Sequence, residues 1–356
     1  MATQRLRWLG LLLGMGLLLA ATSPGLSQTA HASREPHQIT VMTRNMDAGT
    51  DFGPVLTAQS FSEFLVGVAT LYAEVQASNP PERSAGVARE IAAAQPDLVA
   101  LQEVSQWRTT PFAGSPTTVV YDVLPSLLAE LERQGLHYAP AAVIPEWTIS
   151  APCACGFYVG YSDYEVILAR TDLSPVDFMV DNIQVGHFTH LLTVPSLVGP
   201  VTIPRGWASV DVRIPGKSFR FITTHLEAAS PIVQVAQGAE LLAGPGNTSL
   251  PTIYAGDFNS AAAGGPDQTP TYGNLIAAGL VDMWSAADRE GPGYTWPLHG
   301  EDPYTPRSAP TERIDLVFGA GRVHAVSARR VGVHDLTPSG LWPSDHAGVV
   351  AEVRIR

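Results

Sequence analysis

The chain has 356 residues, of which 45% are hydrophobic, and this proportion excludes a globally disordered protein. It carries 21 basic and 33 acidic residues, so the formal net charge is −12 at pH 7. A surface of this sign disfavours unassisted binding to polyanions and favours the recruitment of cations, although a local arginine cluster overrides the mean. The length suits either two average domains or one large α/β sandwich.

The amino terminus has the three parts of a secretory signal peptide. Arg5 and Arg7 precede an apolar run over residues 9–21, and a small and polar stretch ends in the A-H-A sequence of residues 30–32. We therefore expect a signal peptide over residues 1–32 and a secreted mature chain, either extracellular or periplasmic. A membrane anchor is the alternative, but the run is shorter than the roughly 20 residues that a spanning helix needs. No transmembrane segment is expected after signal cleavage.

Hydrophobic periodicity and breaker residues predict alternating strands and helices after the leader. The predicted helices cover residues 61–75, 82–94, 125–134, 230–242 and 272–278. The predicted strands cover residues 39–43, 98–101, 138–143, 164–169, 207–214, 218–224, 252–256, 280–284, 313–318 and 349–355. Pro80 and Pro81 are expected to end the first helix, and the P-G-K turn of residues 215–217 joins two strands into a hairpin. Without an internal repeat, linker or low-complexity block, residues 33–356 are predicted to form a single α/β domain.

The two cysteines, Cys153 and Cys155, lie in a predicted exposed loop over residues 145–161. This loop is aromatic and contains glycine, which favours contact with a ligand over a place in the core. In an oxidising compartment a local disulfide is favoured, with free thiols or metal contacts as alternatives. Two thiols alone make a poor structural zinc site, which usually needs four ligands. None of these states implies catalysis.

Polar residues follow the ends of several predicted strands, where ligands and catalysts collect in α/β folds. The set comprises Asn45, Glu103, His225, Asp257, Asn259, Asp345 and His346. Alternation along an extended chain would turn Asp257 and Asn259 to one face and Phe258 to the core. Each residue also has a plain structural explanation, such as an Asx turn after Asp257, a solvated strand end for Glu103 or a structural hydrogen bond for His225.

Asp315 lies inside the predicted strand at residues 313–318, between Ile314 and Leu316. A carboxylate in an apolar strand needs a partner, and a histidine is the usual one. The P-S-D-H sequence that ends at His346 precedes the terminal strand and supplies such a partner. We therefore expect an Asp315–His346 pair.

The chain resembles the endonuclease, exonuclease and phosphatase superfamily in six short motifs that occur in order. They are R-N at 44–45, L-Q-E-V at 101–104, T-T-H-L at 223–226, G-D-F-N at 256–259, R-I-D at 313–315 and S-D-H at 344–346. The superfamily includes deoxyribonuclease I, abasic-site endonucleases, neutral sphingomyelinases and inositol polyphosphate 5-phosphatases. The resemblance implies a four-layer α/β sandwich, in which two packed mixed β-sheets are flanked by helices. It covers essentially the whole mature chain, 33–356, as one catalytic domain.

The resemblance implies a divalent cation site. Asn45 and Glu103 resemble its ligands, with Glu103 the principal one, and Asp345 is expected to bind or approach the cation. Magnesium suits a site of one or two carboxylates plus water, and manganese is the expected substitute. The first motif departs from the family pattern, because Met46 stands where an aromatic residue is common.

The resemblance also implies the catalytic roles. His346 resembles the general base that activates water, with its ring oriented by Asp315. Asp257 would help to align the water, while Asn259 and His225 would donate hydrogen bonds to the phosphate oxygens.

Together with the leader, these roles predict a secreted, magnesium-dependent phosphoesterase. A monomer is also expected. Cleavage of phosphodiester bonds in nucleic acid is placed first, cleavage of phospholipid head groups second, and hydrolysis of soluble phosphomonoesters such as inositol phosphates third. Arg205 resembles a phosphate-contacting arginine of the nucleases, and Tyr161 with Asp163 loosely matches a Tyr-x-acid element. No basic strip interleaved with aromatic residues is evident, such as a dedicated nucleic-acid binder shows.

A catalytically silent binding protein on the same scaffold is the alternative from another functional class. Loss of Glu103, Asp257 or His346 would mark that class, and the sequence retains all three. The motifs therefore favour an enzyme.

Overall fold

The computed structural model describes residues 37–262, 264–265, 268–287, 289, 291–299 and 310–356. The predicted signal peptide of residues 1–32 lies outside the described residues. The helices are α1 Gly53–Leu56, α2 Phe61–Ala77, α3 Pro80–Ala94, α4 Val123–Arg133, α5 Pro231–Ala243, α6 Pro270–Ala277 and α7 Met283–Ala286. Strands β1 to β8 are Gln38–Asn45, Leu98–Gln102, Gln106–Pro111, Thr118–Asp122, Tyr138–Pro152, Phe157–Arg170, Met179–His187 and Leu192–Val194. Strands β9 to β16 are Val201–Ile203, Gly206–Ile214, Lys217–His225, Thr252–Asp257, Val281–Asp282, Asp315–Ala320, Val323–Val331 and Gly348–Ile355.

Two mixed sheets contain most of these strands. The first has the order β15-β16-β1-β2-β6-β3-β4, with β5 added along β6, and the second has the order β13-β14-β12-β11-β10-β7. Each sheet has a parallel pair at its centre, β1 with β2 in the first and β11 with β12 in the second. The other pairings are antiparallel. The short strands β8 and β9 form a separate ribbon.

The main core lies between the two sheets. Side chains two residues apart on each strand point to the same face, so Val41 of β1 and Ala100 of β2 face inward with their neighbours. From the second sheet, Phe219 and Phe221 of β11 and Ile253 of β12 complete the same cluster. Burial of each large apolar side chain stabilises the fold by about 1.5–3 kcal/mol.

Helices cover the outer faces of both sheets. Ile91 of α3 and Leu127 of α4 pack on Val99 and its neighbours in the first sheet. Leu241 of α5 and Leu275 of α6 pack on the outer face of the second sheet. The layer order of helix, sheet, sheet and helix confirms the predicted four-layer α/β sandwich.

The predicted exposed loop over residues 145–161 is wrong. Strands β5 and β6 instead form a long antiparallel hairpin through this region, and a disulfide between Cys153 and Cys155 lies in the connection between them. Among the described strands β5 pairs only with β6, so Pro145 and Pro152 lie on a strand whose other edge needs no ladder partner. The prolines concealed a strand pattern that alternates buried and exposed residues.

Two further local predictions are corrected. The predicted strand at 280–284 stops early, because the Asp282 carboxylate accepts the Trp284 backbone N–H at 3.0 Å and caps α7. Pro80 and Pro81 occupy the first turn of α3, where a missing N–H costs nothing, and so they start a helix as well as follow one.

Several strands were not predicted, namely β3, β4, β7, β8, β9 and β15. Strand β7 is typical, since most of its residues are exposed and its sequence has no apolar run. The predicted hairpin is confirmed as β10 and β11, and the predicted helix start at residue 230 is confirmed because the Ser230 hydroxyl accepts from the Val233 N–H and caps α5.

Candidate active site

The polar residues predicted at strand ends meet at one edge of the sandwich. The parallel strands β1, β2, β11 and β12 deliver their carboxyl ends to this edge, from both sheets. Strands β14 and β16 run antiparallel to these strands, so their amino-terminal ends reach the same edge. Asp315 begins β14, and Asp345 and His346 lie in the loop before β16.

Asn45 connects the two sheets at this edge. Its Nδ2 donates to Glu103 Oε1 at 2.9 Å and to Asp257 Oδ2 at 3.2 Å. Its Oδ1 accepts the Asp47 backbone N–H at 2.8 Å, which leaves one lone pair for another partner. The side chain is fully buried. Asn45 therefore forms the local turn that a plain structural reading allows, and it also holds two carboxylates in place.

Glu103 follows β2 in a left-handed backbone conformation, with φ of +53°. Such a conformation is strained for a residue with a side chain and persists where the surroundings impose it. Its Oε2 accepts the Ala48 N–H at 2.8 Å. Burial, followed by the negative charges of Asp345 and Asp47, raises the pKa of Glu103. The His346 charge acts in the opposite direction but does not outweigh these causes, and a bound cation would favour the ionised form further.

Asp257 lies at the centre of the cluster and is 1% exposed. Burial raises its pKa to about 7, although the neighbouring His346 acts in the opposite direction. Its Oδ1 accepts the Asn259 N–H at 2.9 Å, and Asn259 has φ of +47°. Residues 257–259 thus form an Asx turn. The predicted extended alternation through Asn259 is wrong, because β12 ends at Asp257, whereas Phe258 is buried as predicted.

His346 and Asp315 form the predicted pair. His346 Nδ1 is 2.8 Å from Asp315 Oδ2, and Nε2 is 3.7 Å from Asp257 Oδ2 and 3.9 Å from Asp345 Oδ1. Burial alone would lower the pKa of His346, but the carboxylates of Asp315, Asp345 and Asp257 raise it well above its usual range. The ring is therefore fixed by Asp315 and directs Nε2 toward the other acids.

His225 lies on the other side of Asp257, with Nε2 3.6 Å from Asp257 Oδ2. Arg205 Nη1 is 2.8 Å from His225 Nδ1, and since a guanidinium only donates, Nδ1 accepts and Nε2 carries the hydrogen. Burial and the Arg205 charge lower the pKa of His225 well below its usual range. The structure thus brings Arg205, which directly precedes β10, across the β10–β11 hairpin into contact with the site.

A group of buried acids behind His225 was largely missed. Glu146 of β5 and Glu165 of β6 lie near His225, and the ligand atoms of the three residues are within 4.8 Å of one another. Burial raises the pKa of Glu146 to about 8 and that of Asp163 to about 7, despite the Arg205 charge. Two acids spaced by one residue on an apolar strand, Asp163 and Glu165, are the signal that marks this group in the sequence.

A second missed group flanks Asp345. Asp47, His299 and Asp345 each offer a ligand atom within 4.8 Å of the others. Arg83 Nη1 donates to Asp47 Oδ2 at 3.0 Å and to the Met46 carbonyl at 2.9 Å, which holds the turn after β1. The sequence offers little signal for this group, because its members come from three separated segments.

The donor set of the cluster suits a hard divalent cation. Carboxylate and amide oxygens dominate it, and both cysteines are joined in the disulfide, so neither supplies a thiolate. Magnesium and calcium prefer oxygen ligands, and magnesium needs only one or two carboxylates. Glu103, Asn45 and Asp345 therefore fit the predicted cation.

The fold and the site together define a four-layer α/β protein with buried carboxylates and histidines at one edge of its packed sheets. Residues 71–346 match the profile of the Endonuclease/Exonuclease/phosphatase family. This is well over half of the chain, so the chain belongs to that family, whose members hydrolyse phosphoric esters. A search of curated proteins gave no significant match.

Solved structures with the same fold are distant in sequence. An endonuclease/exonuclease/phosphatase from Bacteroides vulgatus has a TM-score of 0.55 at 17% identity, over 90% of this chain and 99% of that chain. A mannosyl-6-phosphatase from Bacteroides thetaiotaomicron has a TM-score of 0.54 at 16% identity, over 88% and 99%. TDP2 from D. rerio, complexed with a single strand DNA product, has a TM-score of 0.53 at 17% identity, over 89% and 99%. Within the described residues, no helix is long and apolar enough to cross a membrane.

Proposed function

We propose that the chain is an exported, magnesium-dependent hydrolase that cleaves phosphodiester bonds. The observation that carries the proposal is the Asn45 amide, which holds Glu103 and Asp257 together beside the Asp315–His346 pair. A carboxylate for a cation and a carboxylate-oriented histidine for a water proton then lie in one cluster.

Glu103 is the principal cation ligand in this proposal, with Asn45 and Asp345 beside it. When bound, the magnesium ion would neutralise charge on the phosphate and on the leaving oxygen. Because its neighbours raise the pKa of Glu103, ionisation of this carboxyl and cation binding favour each other.

His346 is the general base. Asp315 at Nδ1 fixes the tautomer and the ring orientation, which leaves Nε2 for a water molecule. The 3.7 Å between Nε2 and Asp257 Oδ2 allows one water beside the pair to contact both atoms. Nε2 takes the water proton while the oxygen attacks phosphorus, and the phosphorus bond to the leaving oxygen breaks in line with the attack.

Arg205, His225 and Asn259 are the donors to the phosphate oxygens. Among the described residues, the charged partner nearest to the Nε2–H of His225 is Asp257, at 3.6 Å, which is too long for a hydrogen bond. Asn259 Nδ2 donates one hydrogen to the Leu226 carbonyl at 2.9 Å, which orients the amide and leaves its second hydrogen for substrate. Donors fixed in this way stabilise charge that develops in the transition state.

The charge balance of the site favours a diester over a monoester. A phosphomonoester carries about −1.5 to −2 charge at pH 7, whereas a diester carries one negative charge. Among the described residues that line the pocket at Glu103, Arg205 is the one arginine, and acids surround it. The fold neighbours include a mannosyl-6-phosphatase and a DNA-bound TDP2, so monoester hydrolysis and nucleic-acid cleavage are the alternatives to test.

A substrate panel tests this proposal directly. Purified protein is incubated with plasmid DNA, RNA, sphingomyelin, inositol phosphates and bis(4-nitrophenyl) phosphate, with added magnesium and with excess chelator. We expect turnover of diesters that chelation abolishes and magnesium or manganese restores. Full activity in excess chelator would contradict the role of Glu103 as a cation ligand. No turnover of any ester would favour a catalytically silent binding protein on the same scaffold.

Export and the monomeric state are separate parts of the proposal. The signal-peptide pattern of residues 1–32 supports export, and a mature chain beginning near Ser33 is expected in the culture medium or periplasm. Amino-terminal sequencing of the secreted material checks the cleavage point, and recovery only of intact chains from the cytosol would contradict it. Light scattering of the mature protein checks the expected monomer.

A further inference from the structure

An apolar cavity of about 210 Å³ lies next to the active site. Its walls come from α1 and α2, from the β5–β6 hairpin, from Trp107 of β3 and from the ribbon of β8 and β9. The lining is almost wholly aliphatic and aromatic. A cavity of about 150 Å³ with a similar lining stays dry and binds benzene in a model protein, so this one has room for a group of that size or larger.

The cavity adjoins the catalytic pocket. The pocket that contains Glu103 and Arg205 shares four lining residues with the cavity, among them Phe52, Trp147 and Tyr161. The Phe52 ring is 5.0 Å from Tyr161 and 5.5 Å from Trp147, centre to centre. These three rings form an aromatic collar between the two spaces. A phosphate bound at Arg205 therefore has one ester substituent close to the cavity.

The cavity offers few partners for polar atoms. Tyr161 already hydrogen-bonds to Asp163, and the other polar side chains of the lining are two serines and the indoles of Trp107 and Trp147. A nucleobase has several edge donors and acceptors, and burial without partners would cost each of them free energy. The net charge of −12 also disfavours a polynucleotide. A hydrocarbon group meets neither obstacle.

The mouth of the cavity carries exposed apolar residues. The turn between β8 and β9 places Val198 in the cavity wall while 58% of this residue remains exposed, and the adjacent Leu197 is 43% exposed. Exposed apolar residues beside a pocket are typical of contact with an apolar ligand or a lipid surface.

We infer that the cavity binds a hydrocarbon chain of the substrate, and that the substrate is a lipid phosphodiester. This inference rests on the proposed function and changes the order of substrates, since the sequence alone places nucleic acid first. The phosphate would bind at Arg205 and the cation ligands, while the chain passes the aromatic collar into the cavity.

The test uses n-alkyl phosphates from methyl to octyl as competitive inhibitors of bis(4-nitrophenyl) phosphate hydrolysis. An alkyl phosphate can place its chain in the cavity whichever ester oxygen is the leaving group. Each buried methylene strengthens binding by up to about fourfold, and burial of two gives about sixteenfold, so we expect octyl phosphate to inhibit at least about tenfold more tightly than methyl phosphate. A constant affinity along the series would overturn the inference, whereas absence of bis(4-nitrophenyl) phosphate hydrolysis would overturn the proposed function instead.

Two variants locate the chain. Val198→Glu places a charge at the exposed mouth and should remove most of the gain from methyl to octyl phosphate. Val176→Glu is the matched control, because Val176 is 82% exposed and does not line the cavity. Ile149→Trp, which fills the cavity from β5, should reduce the same gain without adding charge. An unchanged gain in both cavity variants would contradict the assignment.

A nucleotide tests whether a nucleobase, the other possible occupant, binds in the cavity. Thymidine 5′-phosphate should inhibit no more tightly than methyl phosphate. If it binds more tightly, and Ile149→Trp removes that advantage, a nucleobase occupies the cavity and the lipid assignment is wrong.

Discussion

The two buried histidines of the site have different partners at Nδ1, and their pKa values shift in opposite directions. His225 Nε2 and His346 Nε2 lie 3.6 Å and 3.7 Å from the same oxygen of Asp257. At Nδ1, each ring has a charged partner at 2.8 Å, which is Arg205 for His225 and Asp315 for His346. The pKa of His225 is lowered and that of His346 is raised.

This difference shows that the partner of Nδ1 decides whether Nε2 acts as a hydrogen-bond donor or as a base. With an arginine at Nδ1, His225 stays neutral and presents an N–H, which suits a donor to a phosphate oxygen. With a carboxylate at Nδ1, the imidazolium form of His346 is stabilised, so Nε2 can hold a proton that it takes from water, which suits a base. A single residue exchange at each Nδ1 contact therefore tests the assignment.

The largest expected effect is at His346. His346→Ala should lower kcat by about 10²–10⁴-fold, because a general base contributes about that much. Asp315→Asn should also be slow, and the double variant should be hardly slower than His346→Ala, since no ring remains to orient. Rates and melting temperatures of the three variants decide the point, with the exposed His324→Ala as control. Additive rate losses would contradict the pair, as would a loss of stability with an intact rate in Asp315→Asn.

Arg205→Ala should have the next largest effect and should lower both rate and stability. Loss of a phosphate donor costs about 10²–10³-fold in kcat. Removal of a buried cation from beside Glu146 destabilises by about 3–5 kcal/mol, because the acids lose their partner. Arg213→Ala is the control, since Arg213 has an exposed ion pair with Asp181, and exposed pairs contribute at most about 1 kcal/mol.

Adding Glu146→Gln to the Arg205→Ala variant separates the loss of rate from the loss of stability. It should recover part of the lost stability without recovering the rate, as followed by urea unfolding and by turnover. Recovery of both together would mean that Arg205 acts only on the fold.

Asp345→Asn should have a smaller effect than either exchange at Nδ1. Asp345 is 3.9 Å from His346 Nε2 and its side chain is 26% exposed, so it is the weaker carboxylate partner. We expect the magnesium concentration for half-maximal activity to rise about tenfold, with the rate at saturating magnesium changed less. Asp335→Asn, at an exposed position, is the control. An unchanged magnesium requirement would exclude Asp345 from the cation site.

The smallest expected effect is a change in the pH dependence of stability. Burial raises the pKa of Glu146 to about 8 in the folded protein, whereas an unfolded glutamate titrates near about 4.3. A raised folded pKa means that the unfolded chain releases its proton first, so stability falls as pH rises from about 4.3 to about 8. Glu146→Gln should flatten this fall, measured as melting temperature between pH 5 and pH 8. The exposed Glu132→Gln should leave it unchanged.

Much of the site was predictable because its residues belong to short motifs at strand ends. A buried parallel strand reads as an apolar run, and the first polar residue after it marks the edge of the sheet, as for Glu103 and Asp257. Asp315 was predictable for a different reason, since a carboxylate inside an apolar strand requires a partner. The order of the motifs then indicated the family, and the four-layer fold follows from it.

The sequence by itself determined which polar side chains stand at the sheet edge, since the local pattern alone sets where each strand ends. The tertiary structure decided which charge meets His225, because the contact of Arg205 with Nδ1 depends on side-chain packing beside the β10–β11 hairpin, whereas the Asp315 partner of His346 was predicted from the sequence. The same holds for the apolar cavity, which needs the β5–β6 hairpin that prolines concealed and the short ribbon of β8 and β9. Periodicity reports the faces of single elements, whereas a cavity and a pKa depend on how several elements pack together.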